Sequence, residues 1–221
     1  ADAAGENDEA AKALKLARSI PRDDMADCEA CEADQVTDYY AGIDEYEKAV
    51  ESAGPNLRGE RVCGEVPHRT YGHVLRPLAK LGRTKEADEY QRKGYRLIRG
   101  NPEFLGQVAL HIAYLSHRGR IRAAVGTFSR HLEWSIDTHS LGSRLNFLFA
   151  SLGLLRRLRK DKQQVKLKIP KAFELYTSDG KYDLDELIAW LDKESQELAQ
   201  RFDKRNGNSC HREELPRLFD Y

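Results

Sequence analysis

Sulfur is scarce in this chain, with four cysteines and one methionine among 221 residues. Four cysteines are too few to staple a chain of this length, which argues against a disulfide scaffold and for reduced thiols. Long apolar runs are missing too. No stretch approaches the ~18 uninterrupted apolar residues of a membrane span. The most apolar segment, Leu145–Leu158, is broken by Asn146, Ser151 and an arginine pair. The opening Ala1–Ala11 is acidic and has no hydrophobic region of the secretory kind. These absences point to a cytoplasmic chain that neither crosses nor coats a membrane. Net charge is absent as well, the formal sum being zero. The balance of apolar and charged residues is that of a folded globular chain, not a disordered one.

The recognisable catalytic signatures are also missing. There is no G-x-S-x-G, no phosphate-binding P-loop, no H-E-x-x-H and no G-x-G-x-x-G. The seven histidines, His68, His73, His111, His117, His131, His139 and His211, follow no partner pattern. The expectation is a non-catalytic chain without a cofactor. His111 lies in an apolar column and reads as a hydrogen-bonded core histidine. Cys28-x2-Cys31 has the spacing of a metal-binding pair, and Cys63, His68, Cys210 and His211 are the residues able to complete four ligands. The acidic neighbours Asp27, Glu29 and Glu32 disfavour thiolates, and no second pair has ligand spacing. The cysteines are therefore read as small residues at a helix–helix contact, with no metal.

What is present is a repeat. Tyr71–Arg83 and Val108–Arg120 align, with Gly82 and Gly119 standing 37 residues apart. The same offset links Leu78, Leu115 and Leu152, then Val74, His111 and Leu148, then Leu75, Ile112 and Phe149. Tyr71, Val74, Leu75, Leu78 and Leu81 follow the i, i+3, i+4, i+7 rule of one helical face. Each glycine suits the left-handed end of its helix. A second helix is expected after each, over 85–98 and 121–136, and Asn101–Pro102 closes the first of these. Asp8–Ile20 reads as another second helix, ending at Pro21. With its first helix missing and no starting methionine, the expectation is a piece of a longer array.

This pattern resembles the tetratricopeptide repeat, in which a small residue of the second helix is followed four positions later by an aromatic. Ala124–Phe128 carries that signature, and Gly42–Tyr46 with Ala49, and Ala10–Leu14 with Ala17, carry relaxed forms. Gln91 stands at the aromatic position after Ala87, and the 37-residue offset exceeds the ~34 of that family. The resemblance spans residues 8–160. It implies an all-α solenoid of helical hairpins, with repeats at 23–54, 68–102 and 105–138 and a partial one at 142–160. It also implies a concave groove lined by first helices, with ligand-facing positions at Arg69, Arg76, Lys80, Ala109, Ala113, His117, Asn146, Ala150 and Leu154. The implied activity is capture of a protein or peptide.

Charge bears on the partner. Residues 61–171 carry a net +15 and residues 1–60 a net −10. A basic groove favours an acidic or carboxylate-bearing segment. The run Arg156, Arg157, Arg159, Lys160 and Lys162 leaves nucleic acid as the alternative partner, and a structural segment of a larger protein as a third reading.

Outside the repeats, Gly54–Val66 holds one proline and several glycines and is expected to be a long loop. Residues 161–182 are expected to be extended, with Gln164–Pro170 and Phe173–Tyr176 forming a small hairpin. Asp183 is the expected N-cap of a long amphipathic helix stopped by Asn206–Gly207–Asn208 and covering the end of the array. Leu215, Leu218 and Phe219 are its tail's docking candidates.

Overall fold

A computed structural model describes residues 7–221. The first six residues, including most of the acidic opening, lie outside the described residues. Among the described residues the architecture is all-α apart from one two-stranded sheet. Helix α1 (Asn7–Ser19) is followed by α2 (Glu29–Gly42) and α3 (Tyr46–Leu57). Then come α4 (His68–His73), α5 (Leu75–Lys80) and α6 (Thr84–Ile98). Next are α7 (Leu105–His117), α8 (Ile121–Asp137) and α9 (Leu141–Arg159). Strands β1 (Gln164–Lys166) and β2 (Lys181–Asp183) precede α10 (Leu184–Asn206), α11 (Cys210–Glu213) and a 3-10 turn at Leu215–Phe219. No helix among the described residues is long and apolar enough to cross a membrane.

The 37-residue offset has a structural counterpart. Leu78, Leu115 and Leu152 are all buried, and so are Val74, His111 and Leu148. Gly82 and Gly119 take φ of 72° and 69°. Each lets the next amide reach back over the helix end, Arg83 N–H to Leu78 O at 2.8 Å and Arg120 N–H to Leu115 O at 2.9 Å. This satisfies carbonyls that a helix end otherwise leaves open. The pattern recurs where the sequence hides it. Asp44 takes φ 64°, and Glu45 N–H reaches Tyr40 O at 2.9 Å. Asp tolerates the left-handed region better than most residues, because its short side chain bonds locally. Gly42 and Tyr46 therefore do not belong to one second helix, as the relaxed repeat signature implied. Gly42 ends α2, Tyr46 opens α3, and the small residue of that hairpin is the buried Ala49, matching Ala87 and Ala124.

Pairing follows from these turns. Helices α2 and α3, α4–α5 and α6, and α7 and α8 pack as neighbours. The first helices also pack in a row, α2 on α4, α4 and α5 on α7, α7 on α9, and α9 on α10. Pro77 breaks the first helix of the second pair. It lacks the N–H that would bond to His73 O, so the expected single helix divides at Val74. Gly94 lets α6 approach closely, since a Cβ there would lie 2.5 Å from Tyr71 Cβ.

Two expected segments differ from the structure. Gly54–Val66 is not all loop, because α3 runs through Pro55 to Leu57. Tertiary contacts outweigh the proline: buried Asn56 donates to Ala30 O at 3.0 Å and Thr70 Oγ1 at 3.3 Å. Strand β1 pairs antiparallel with β2, Val165 opposite Tyr182, and not with Phe173–Tyr176. Phe173 instead turns inward, 4.7 Å from Trp190 and edge-on to it.

Asp183 caps α10, its Oδ1 accepting from Asp185 N–H at 2.8 Å and Glu186 N–H at 3.2 Å. Gly207 ends the helix at φ 71°. The long helix lies along α9, tied by Arg144–Glu194, Arg156–Asp192 and Arg159–Asp185.

Candidate functional site

The chain's final residues return to the row of first helices. The Leu215–Phe219 turn packs on α9 and α7. Leu215, Phe219 and Tyr221 rest against the main core, and Tyr221 also packs against the smaller core, which holds Tyr114 together with Val74, Leu75 and Leu78. The Tyr221 ring stacks on His117 with centroids 4.8 Å apart and lies 6.1 Å from Tyr114. Burial raises the Tyr221 phenol well above its usual range, against an opposing pull from Arg76. Burial also depresses His117, helped by Arg118, Arg157 and Lys80 and opposed by Asp220. Tyr221 thus stacks on His117 of α7, and the exposed Asp220 carboxylate acts on the same imidazole as the cations Arg118, Arg157 and Lys80.

The ligand-facing positions expected from the repeat divide into three groups. His117 stacks on Tyr221, Arg76 acts on the Tyr221 phenol, and Lys80 acts on His117. Arg76 is already engaged, donating to Ala41 O at 3.1 Å and Asp44 Oδ1 at 2.8 Å and lying over the Tyr46 ring. Lys80 is exposed. Arg69 points elsewhere, pairing with Glu65 at 3.0 Å and buried Asp34 at 3.3 Å. Ala109, Ala113, Ala150 and Leu154 are closed from solvent, and Asn146 is half-buried on α9. Tyr221 was not legible as a site residue, since nothing periodic marks the last thirteen positions.

A buried polar cluster joins α2 to α4. Asp34 accepts from Thr70 Oγ1 at 2.7 Å and meets His73 Nδ1 at 3.2 Å, while His73 Nε2 stands 3.6 Å from Asp38. Burial alone would depress His73, but the carboxylates of Asp38 and Asp34 outweigh it and bring it to about 9. Burial works against the Asp34 carboxylate too, yet His73, Thr70 and Arg69 hold it below the usual range. Every charged member of this cluster has a partner inside it, which makes it a clasp between helices. His111, by contrast, does not make the hydrogen bond expected of a core histidine. Neither ring nitrogen has a partner, and burial depresses it to about 3.

The cysteines fall differently from the expected helix–helix contact. Cys28 is the exposed N-cap of α2, and Cys31 sits half-buried in its first turn. The loop after α3 brings Cys63 to them, with Sγ 3.5 Å from Cys31 Sγ. The three sulfurs lie within 4.8 Å of one another. Hydrogen bonding from Cys31 lowers the Cys28 thiol, whereas Cys31 is pushed up to about 12 by Cys28, by burial and by Cys63. Cys210 and His211 lie elsewhere, where His211 stacks on Phe202 and its amide bonds Asp203 at 2.8 Å.

Two of the five residues in the basic run at the end of α9 are paired with α10. Arg159 makes two bonds of 2.8 Å to Asp185, and Arg156 pairs with Asp192. The acidic face of α10 answers the basic face of α9, which a reading of either segment alone does not reveal. No family model matches the chain, and comparison with curated proteins and with solved structures likewise found no match.

Proposed function

We propose that this chain is a non-catalytic scaffold of stacked helical hairpins, a tetratricopeptide-like solenoid. Its inner face, formed by α5, α7 and α9, captures an extended peptide carrying an aromatic beside a carboxylate. The observation that carries this reading is the Tyr221 ring stacked on His117, with the Asp220 carboxylate acting on the same imidazole. The packing of the Leu215–Phe219 turn on α7 and α9 supports this reading. The favourable terms are aromatic stacking on His117 and charge attraction to a carboxylate. Residues 215–221 then act as an internal competitor that an external peptide must displace.

The test uses a labelled peptide of residues 213–221 offered in trans. The intact chain is expected to bind it weakly, and a chain ending at residue 212 to bind it at least about tenfold more tightly. Full-length Tyr221→Ala serves where the shortened chain is unstable, and it too is expected to gain affinity. Lys80→Glu combined with His117→Ala is expected to weaken binding by about tenfold or more, the scale of two modest contacts. Arg76 is left intact because it fastens α2 to α5. Equal peptide affinity for intact, shortened and Tyr221→Ala chains would overturn the proposal. So would tight binding of arbitrary single-stranded nucleic acid that falls steeply with salt, the signature of phosphate contacts.

A further inference from the structure

We propose that Cys28, Cys31 and Cys63 form a binding site for one thiophilic metal ion of the zinc class, held by three thiolates with a fourth position open to water. The three sulfurs come from separate backbone segments, an N-cap, a first helical turn and a loop 32 residues further on. They nevertheless converge within 4.8 Å, and the nearest pair stands 3.5 Å apart. Two thiolates at ~2.3 Å from one ion and at the tetrahedral angle stand about 3.8 Å apart. The cluster is therefore close to coordination spacing, while all three cysteines are free.

Two further features suit metal ligation. Two of the sulfurs accept backbone amides, Cys28 from Cys31 N–H at 3.3 Å and Cys63 from Glu65 N–H at 3.5 Å. Outer hydrogen bonds of this kind orient ligands and stabilise their charge. Cys28, the N-cap of α2, also sits where the helix dipole favours anionic sulfur. The loop is built to present Cys63. Cys63 N–H bonds Val66 O at 3.0 Å, Val66 is buried, and Arg61 reaches Glu29 of α2 at 3.3 Å. Among the described residues no fourth histidine, cysteine or carboxylate joins the three. An open fourth position follows, filled by water or a small donor. Soft sulfur donors select zinc and its thiophilic relatives over magnesium or calcium. As the ion enters, the three thiols release their protons to solvent, so uptake weakens as pH falls. Bound metal would pin the 58–67 loop to the start of α2, a role separate from the peptide face.

The experiment is cobalt titration of the full chain, reduced, freed of metal and kept anaerobic. It is paired with elemental analysis of protein purified without chelator. One equivalent of cobalt with thiolate-to-cobalt charge-transfer absorption is expected, displaced by one equivalent of zinc. Cys31→Ser and Cys63→Ser are expected to lose at least about 100-fold in affinity, since removal of a direct ligand exceeds the 10–100-fold typical of outer partners. Cys210→Ser is expected to bind normally, and circular dichroism shows whether each variant is folded. Absence of charge-transfer absorption in the reduced wild type would overturn the proposal. So would unchanged uptake by the folded Cys28→Ser, Cys31→Ser, Cys63→Ser triple variant. Oxidation of Cys31 and Cys63 to a disulfide that an equivalent of zinc fails to suppress would also overturn it.

Discussion

His73 and His111 are both closed from solvent, and their surroundings push them in opposite directions. His73 faces Asp34 and Asp38 and is held at about 9, above its ordinary value. Its charged form therefore contributes stability that is complete below pH ~6.5 and is lost as pH rises through about 9. His111 and His131 are depressed to about 3 and about 4. Their neutral forms contribute stability that is lost as pH falls below ~6.5, where the unfolded chain takes up protons. Urea midpoints are thus expected to peak near neutral pH. In His73→Gln the alkaline decline between pH 6.5 and 9.5 should flatten, and an unchanged slope would remove the clasp role assigned to His73. Gly94 makes a second prediction at this scale. Gly94→Ala sets a methyl against Tyr71 and His111, and is expected to cost about 1–3 kcal/mol in a denaturant melt.

At the level of elements, helix ends were legible where glycine or a capping side chain marks them. Gly82, Gly119 and the Asp183 cap are plain in the sequence because each meets a local backbone need. Asp44 was not, since aspartate in the left-handed region looks like any polar turn residue. The end of α3 was hidden for another reason: Pro55 signals a break, but Asn56 finds partners on α2 and α4 that no local reading contains. The pairing of β1 with β2 was missed because Phe173–Tyr176 has strand composition, whereas Trp190, 4.7 Å from Phe173, lies far along the chain. The capping reading is testable. Asp183→Ala removes two bonds at the start of α10 and is expected to cost about 1 kcal/mol. The loss should appear in thermal melts, while Asp183→Asn retains most of the stability.

Across the whole molecule, the recurrence of buried leucines was readable because periodicity records which face each helix buries. Long-range matches were not. The facing charges of α9 and α10, the seat of Tyr221 and the meeting of Cys63 with Cys28 and Cys31 join positions 26 to 107 residues apart, and no local pattern encodes them. Among the expected groove residues, those near Tyr221 are basic or aromatic, whereas the alanines lie beneath neighbouring helices. The seat of Tyr221 has one more consequence. Arrays of like modules ordinarily lengthen by duplication, because each unit touches only its neighbours. Here Tyr221 stacks on His117 of α7 while the turn before it packs on both α9 and α7. A copied hairpin inserted before α9 would part the two surfaces on which the tail rests. That returning turn works as a ruler for the spacing between α7 and α9, while helices added ahead of α2 would leave it untouched.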